Sequence, residues 1–177
     1  MSEVRGRLHD YVVANPGVHF SELRRELDIA TGQAQHHLRK LTGDGEVVAE
    51  DVRGRTHYFE PGFDPWQRRA VALARRETTR ALLIHLLDDG PLTAAEITDR
   101  LDVARSTVSW HVSSLVDAAV VEKSYVEDGR VELSLVRPDE TQRVLRAVQP
   151  SLSDRLVDRF TRLVDDGLSG REGDSPD

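Results

Sequence analysis

Hydrogen-bonding side chains concentrate within residues 105–115. Read as a helix with 3.6 residues per turn, this stretch places Val108, Val112 and Leu115 on one side. The opposite side holds Arg105, Ser106, Thr107, Trp110, Ser113 and Ser114. Most of these side chains are small, whereas an ordinary surface helix usually carries pairs of Glu and Lys. A small polar face suits a helix that lies in the DNA major groove; an ordinary amphipathic helix of a small α-helical domain is the alternative.

The sequence shows no set of residues spaced for catalysis. Its seven histidines are scattered, and it contains neither a phosphate-binding glycine loop nor a nucleophile-elbow serine. The absence of Cys excludes disulfides, thiol nucleophiles and Cys-based zinc sites. We therefore predict a protein that is not an enzyme and uses no cofactor and no metal. A His/Asp/Glu metal-sensing site between protomers is the alternative.

Hydropathy and charge place the chain among soluble proteins. No apolar run approaches the roughly 18 residues that span a membrane, and the N-terminus lacks an apolar signal segment, so we expect a cytoplasmic protein. The net charge is −7, and of 24 basic residues only Lys40 and Lys123 are lysines. This composition indicates a halophilic archaeon, because an acidic surface keeps proteins soluble in concentrated salt. Codon bias in an ordinary acidic protein is the alternative.

The chain repeats itself with an offset of 74 residues. Residues 22–30 align with 96–104, and the apolar positions of the following helix continue the match without a gap. In the next turn the offset grows by one, where Gly54 meets Gly129. Preserved apolar positions over some fifty residues indicate that the chain contains one unit twice.

Each unit reads as three helices followed by two short strands. In the second unit, Thr93 and Glu96 form a capping box at the start of the second helix, whereas residues 19–22 keep the Glu but lack the hydroxyl cap. The strands are predicted around 47–52, 56–59, 120–126 and 131–136. His37 and His111 occupy equivalent positions and are predicted to be structural, bonding backbone carbonyls. Three helices and a hairpin form a winged helix-turn-helix, so we predict a mainly α fold with small β-wings (α+β).

Both units resemble the winged helix-turn-helix transcription regulators of the arsenic-repressor and multiple-antibiotic-resistance-repressor type. The resemblance is carried by residues 101–115, LDVARSTVSWHVSSL, which look like that family's turn and recognition helix. The first unit departs from it within 32–41, where Ser-Thr-Val-Ser is replaced by Gly-Gln-Ala-Gln. Together the two likenesses cover about residues 3–62 and 77–137. They imply DNA binding, although some winged helices serve as protein-interaction modules.

The remaining segments connect and extend the two units. Asp64-Pro65 marks a helix start, and no breaker follows up to Leu87, which predicts one long helix or two nearly continuous ones. Five arginines of this stretch either touch phosphates or form a solvated face: Arg68, Arg69, Arg75, Arg76 and Arg80. We expect an N-terminal winged unit at 1–62, a helical connector at 63–80, a second winged unit at 77–137, a C-terminal helical segment at 138–168 and a disordered tail at 169–177.

The C-terminal segment carries an apolar stripe that runs from Leu152 to Val164. An amphipathic helix must bury such a stripe. We predict that it makes a homodimer, as terminal helices do in related regulators. Packing back on the two winged units is the alternative.

The expected function is sequence-specific binding of double-stranded DNA by a transcription regulator whose recognition helices, 31–41 and 105–115, enter the major groove. The candidate DNA contacts of the first unit are Thr31, Gln33, Gln35, His36, Arg39, Lys40, Arg53 and Arg55. Those of the second unit are Arg105, Ser106, Thr107, Ser109, Trp110, Ser113 and Arg130. For Trp110 the alternative is packing against the first unit or a partner. For the whole chain the alternative is a non-enzymatic interaction subunit similar to acidic chromosome-segregation proteins.

Overall fold

The computed structural model describes residues 3–127 and 129–148. Over these ranges the helices are α1 (Glu3–Ala14), α2 (Phe20–Glu26), α3 (Thr31–Gly43), α4 (Pro65–Ala74), α5 (Glu77–Asp89), α6 (Ala94–Leu101), α7 (Arg105–Asp117) and α8 (Pro138–Ala147). The strands are β1 (Val18–His19), β2 (Val48–Val52), β3 (Arg55–Phe59), β4 (Leu92–Thr93), β5 (Val121–Tyr125) and β6 (Val131–Leu135). The prediction of a mainly α fold with small β-wings is confirmed.

The repeat in the sequence corresponds to two sheets that have the same strand order and equivalent pairing. Two antiparallel sheets have the orders β1-β3-β2 and β4-β6-β5. Val18 pairs with Tyr58 in the first sheet, and Leu92 pairs with Leu133 in the second. The equivalent residues are therefore 74 apart on the short strand and 75 apart on the wing strand. This confirms the offset and its growth by one residue in the hairpin turn.

Helices α2 and α6 begin with different caps. At α6, Thr93 and Glu96 form the predicted capping box. At α2, the Nδ1 atom of His19 accepts a hydrogen bond of 3.3 Å from the N–H of Glu22. The imidazole takes the place of the missing hydroxyl, and because its Nδ1 accepts, the ring proton lies on Nε2.

The connector consists of two helices rather than one. Asp64 and Gln67 make a capping box at the start of α4. The helix ends at Ala74, and Arg76 adopts an extended conformation with φ −82° and ψ 130° before α5 begins. The chain therefore changes direction at Arg75 and Arg76, which frees both arginine side chains to reach other elements.

Two hydrophobic cores divide the molecule, and their boundary does not coincide with the repeat. The first core holds buried residues of α1, α2 and α3, such as Leu8, Leu23 and Leu38. The second core runs from Val52 and Phe59 of the first wing, through α4, into the whole second unit and α8. The wing of the first unit thus contributes to both cores, because Tyr58 of β3 packs against the first core.

A close approach joins the turn after α1 to α4. Gly17 has φ +76°, and a Cβ at this position would lie 2.8 Å from Cγ1 of Val71 and 3.3 Å from the Phe59 ring. Glycine is required both for the left-handed backbone and for the space.

Helix α8 packs on the connector of its own chain. Val144, Leu145 and Val148 are buried, and the Arg80 guanidinium donates hydrogen bonds of 2.7 Å to the carbonyls of Leu145 and Val148. A cation at the end of a helix satisfies carbonyls that lack helical partners and offsets the helix dipole. The stripe predicted to dimerise, from Leu152 to Val164, and the predicted tail at 169–177 lie outside the described residues.

Candidate nucleic-acid interface

Both recognition helices are set by the same turn. Asp28 and Asp102 adopt left-handed conformations, with φ 50° and 49°, which Asp tolerates better than most residues because its short side chain bonds locally. One residue later, Ile29 and Val103 are buried and anchor the turn in the cores. The turn thereby fixes the angle between the second and third helix of each unit.

Helix α3 presents an open polar face. Ala34, Leu38 and Leu41 are buried and hold it in the first core. Six predicted contact residues are exposed: Thr31, Gln33, Gln35, His36, Arg39 and Lys40. The first turn contains no acidic residue, so the positive end of the helix dipole is not offset by a carboxylate of that turn. Amides, an imidazole and two cations therefore share one solvent-facing surface.

Helix α7 presents a similar but more crowded face. Arg105, Ser106, Ser109 and Ser113 are exposed, and Thr107 is half-buried. The Trp110 side chain remains 42% exposed. The second recognition helix therefore offers hydroxyls and one cation where the first offers amides and two cations.

The first wing reaches across to α7. Nε and Nη2 of Arg53 donate to the Ser114 hydroxyl at 2.9 and 2.6 Å, and that hydroxyl donates to the carbonyl of Trp110 at 2.9 Å. The Arg53 guanidinium also lies 3.6 Å from the Asp117 carboxylate and 5.4 Å from the centre of the Trp110 ring. We call this set of Arg53, Trp110, Ser114 and Asp117 the wing clamp.

Arg76 completes the surroundings of the exposed indole. Its guanidinium carbon lies 4.7 Å from the centre of the Trp110 ring, within the range of a cation–π interaction. The Trp110 ring thus contacts Arg53 of the first unit, and DNA contact by its exposed part stays a prediction. DNA contact by Arg53 stays a prediction, and in this structure the Arg53 guanidinium is engaged by Ser114.

The connector arginines bind the protein itself. Arg68 pairs with the Glu50 carboxylate and donates to the Phe63 carbonyl at 2.7 Å. Nη2 of Arg75 lies 2.7 Å from Glu22 in a pair that is almost wholly buried. Together with Arg80 on α8 and Arg76 on Trp110, these guanidiniums link the connector to neighbouring elements. Arg69 lies 3.8 Å from Glu50, so all five arginines make contacts within the protein, and contact with phosphate stays a prediction.

His111 and His37 differ although they are equivalent in the repeat. His111 is buried, and its Nδ1 lies 2.7 Å from the Thr79 hydroxyl. Burial, with a smaller effect from the nearby Arg76 cation, lowers the pKa of His111 from 6.5 to about 4. The predicted carbonyl partner is wrong for His111, because its partner is a hydroxyl. His37 is half-buried.

The two wings flank their helices unequally. Arg55 and Gln35 line an open groove of about 560 Å³ between α3 and the first wing. In the second wing Arg130 is exposed, and Tyr125 is 82% exposed. Across residues 3–127 and 129–148, no three His, Asp or Glu side chains converge as a metal site requires, and no helix is long and apolar enough to cross a membrane.

The sequence did not reveal the clamp. The prediction that Ser114 lies on the outer polar face of α7 is wrong, because its side chain is buried. Asp117, Thr79 and Arg76 carry no local sequence signal of their contacts. The available hint was the repeat itself, since Ser114 stands where the first unit has Lys40.

A turn-linked pair of helices followed by a β-hairpin, present twice, defines a tandem winged helix-turn-helix protein. A family model described as an N-terminal HTH domain matches residues 2–71. A second, described as a helix-turn-helix domain, matches residues 73–124. The first match extends beyond the hairpin into α4, the helix on which the first wing packs.

The curated relatives are archaeal. An uncharacterized HTH-type transcriptional regulator of Methanocaldococcus jannaschii is 24% identical over 131 residues, which cover 74% of this chain and 33% of the relative. Another, from Pyrococcus horikoshii, is 33% identical over 91 residues, which cover 51% of this chain and 54% of the relative. The chain therefore spans about half or less of the length of these relatives.

Similar solved structures share little sequence with the chain. Disulfide-formed AbfR is 12% identical with a TM-score of 0.36, over 60% of this chain and 83% of that one. A protein from Corynebacterium diphtheriae is 17% identical with a TM-score of 0.32, over 76% of this chain and 26% of that one. With TM-scores this low, neither structure informs the function of this chain.

Proposed function

We propose that this chain is a sequence-specific, DNA-binding transcription regulator that places 31–41 and 105–115 in the major groove. The observation that carries the proposal is the outward face of α3, where amides and cations are exposed together. The two matched helix-turn-helix models and the relatives named as transcriptional regulators support it.

The residues of α3 divide into two roles. Gln33 and Gln35 carry amides that bond adenine through two hydrogen bonds, whereas Arg39 and Lys40 neutralise phosphates. Arg39 Nε donates to the Gln35 carbonyl at 3.2 Å, which holds the guanidinium close to α3 beside the amides. Thr31 and His36 extend the same face, and Arg55 reaches the backbone from the wing.

Helix α7 contributes a smaller second surface. Arg105 and Ser106 lie in its first turn, which is the part of a recognition helix that contacts base edges. Ser109 and Ser113 continue this surface along the helix, Thr107 lies on the other side of the flank that holds Trp110 and Ser114, and Arg130 extends from the wing. Their short side chains read bases only at close approach, so this surface adds selectivity more than electrostatic attraction.

The net charge of −7 limits attraction over long distances. Most of the binding energy must then come from contacts at the groove, and long-range steering is weak. With archaeal relatives and two lysines in the whole chain, we place the protein in a halophilic archaeon, where concentrated salt screens the acidic surface.

We also propose that the protein is a homodimer through the stripe from Leu152 to Val164, on the sequence pattern alone. Sedimentation equilibrium of the full chain and of a chain ending at Val148 tests this. We expect the full chain to be a dimer and the chain ending at Val148 to be a monomer. The same oligomeric state for both chains would refute the proposal.

Selection of DNA from a random pool, followed by mobility shift at several salt concentrations, tests the function. Replacing Arg39 and Lys40 with Ala should weaken binding to all sequences and reduce the salt slope by about one for each phosphate that is no longer neutralised. Gln33→Ala should instead change the preferred sequence. Lys123→Ala, which removes an exposed cation from the second wing, should leave both the salt slope of binding and the preferred sequence unchanged. Failure of the wild-type protein to enrich any sequence would refute the proposal.

One observation favours a protein-interaction role as a second candidate. The exposed ring of Tyr125 lies on a wing that also carries Glu122, Glu127 and Glu132, and carboxylates there repel phosphate. If no DNA is enriched, Tyr125→Ala should abolish capture of a cationic protein partner. If Tyr125→Ala binds DNA with undiminished affinity, the Tyr125 side chain has no part in DNA binding.

A further inference from the structure

We propose that the wing clamp joins the two winged units into one DNA-reading body and thereby sets the spacing between two half-sites. The inference rests on the proposed DNA-binding function and assigns Arg53 the role of a positioning residue. It concerns how the two recognition helices are held relative to each other.

Arg53 occupies a backbone position that does not favour arginine. Arg53 and Gly54 form the two-residue turn between β2 and β3, with φ 55° and 75°. Positive φ at both positions is the pattern of a type I′ turn, for which Asn-Gly is strongly preferred. A hairpin alone therefore does not explain the arginine, whereas its contacts with α7 do.

The wing clamp contacts one flank of α7 and leaves the surface proposed to approach DNA exposed. At about 100° per residue, Trp110, Ser114 and Asp117 fall on one flank of the helix. The exposed surface formed by Arg105, Ser106, Ser109 and Ser113 falls beside that flank. The wing therefore braces α7 without covering the residues proposed to approach DNA.

The equivalent flank of α3 is left without this brace. His36, Lys40 and Gly43 stand where α7 has Trp110, Ser114 and Asp117, and all three are exposed. A lysine at position 114 would repel the Arg53 guanidinium, whereas the serine accepts two hydrogen bonds from it. The two repeats therefore differ at the residues that the clamp uses.

A second brace lies on the connector. Nε1 of Trp66 donates to the Ala119 carbonyl at 2.8 Å, just after α7. The same connector helix packs in one core with Val52 and Phe59 of the first wing. Because α7 is held at its flank by the wing and behind its end by α4, rotation of one unit against the other breaks at least one of these contacts.

Fixed units impose a fixed DNA geometry. One inserted base pair moves the second half-site by about 3.4 Å and rotates it by about 34°. Rigid units then bind through only one helix and lose the gain that comes from linking two sites. Units joined only by a loose connector tolerate the insertion.

The first experiment measures the clamp without DNA. The chain has no Cys, so a pair of cysteines at exposed Gly43 and Ser124 takes two spin labels, one on each unit. Arg53→Asn removes the guanidinium but installs the Asn-Gly turn, so the hairpin keeps its fold; a thermal melt checks this. Wild type should give one narrow distance distribution and Arg53→Asn a broad one. Lys123→Asn, with the same loss of charge, is the control and should stay narrow.

The second experiment measures how the affinity for DNA from the selected pool depends on the spacing between the half-sites. Inserting one or two base pairs between the half-sites should weaken wild-type binding by at least about tenfold, and Arg53→Asn binding by less than about threefold. Ser114 is buried, so Ser114→Ala, which removes only the hydroxyl that accepts both Arg53 hydrogen bonds, breaks the clamp from α7 and should relax spacing likewise.

Each result separates the two proposals. A narrow distribution in Arg53→Asn, or the wild-type spacing penalty in both clamp variants, overturns the role of the clamp while DNA binding stands. If the affinity of the wild type does not change when base pairs are inserted between the half-sites, the role of the clamp is overturned as well. No DNA binding by the wild type refutes the proposed function, and with it the spacing role, even where the distance measurement finds the clamp intact.

Discussion

The buried His111 predicts an acid sensitivity whose size follows from its surroundings. Its imidazole lies in the second core against the Thr79 hydroxyl, and the Arg76 cation nearby also disfavours a second positive charge. The pKa is about 4 in the folded protein and 6.5 in the unfolded chain. The unfolded chain thus takes up a proton first as pH falls, so the free energy of unfolding drops between pH 6.5 and 4 and is unaffected above that window.

The magnitude follows from the shift of about 2.5 units at 1.36 kcal/mol per unit, which gives about 3 kcal/mol in full and about 2 kcal/mol between pH 7 and pH 5. His111→Gln keeps a hydrogen-bonding group for Thr79 but does not titrate. Urea unfolding at pH 7, 6 and 5 should therefore show that the variant loses about 2 kcal/mol less than wild type over this range.

His37→Gln is the matched control, because His37 is the equivalent residue of the first unit but is only half-buried. The losses of stability of this variant and of His111→Gln are compared over the same pH range. A proton NMR titration of the His111 ring with a midpoint near 6.5, or equal losses in His111→Gln and wild type, would show that burial does not control this group.

Three further predictions concern packing and ion pairs. Gly17→Ala should lower the free energy of unfolding by at least about 2 kcal/mol, because of the positive φ and the close approach of α4. Gly6→Ala, in open space on α1, should raise the free energy of unfolding by about 0.5 to 1 kcal/mol. Thermal melts of the two variants must move in opposite directions. Arg75→Met leaves Glu22 buried without its cation and should cost about 3 to 5 kcal/mol, most of which the double variant with Glu22→Gln recovers in a mutant cycle; additive losses would contradict the pairing. Arg80→Ala should speed amide hydrogen exchange in α8 by about tenfold, and unchanged exchange would exclude its capping role.

The repeated fold was accessible from the sequence because it depends on local signals that occur twice. Apolar positions with helical spacing identified the helices, and the one-residue growth of the offset located the hairpin turn at Gly54 and Gly129. The strand register of both sheets follows the same offset. Propensity and periodicity are properties of neighbouring residues, so they are visible without coordinates.

Contacts between the units were not accessible in this way. Arg53 and Ser114 are 61 residues apart, and Arg75 and Glu22 are 53 apart. An arginine in a loop or on a helix gives the same local pattern whether it faces water, phosphate or a buried carboxylate. The chain direction at Arg76 decides among these, and that direction depends on tertiary packing.

The packing of the first wing against the second core also determines where the chain can be truncated and which segments unfold together. A cut at residue 62, the boundary suggested by the repeat, would leave Phe59 and Val52 uncovered by α4. An N-terminal fragment that keeps its own wing structured must run on through Ala74. Because β3 also pairs with β1 and Tyr58 packs against the first core, the first wing links the two cores, and unfolding of either core should disrupt it. The duplicated sequence thus forms two cores that share the first wing.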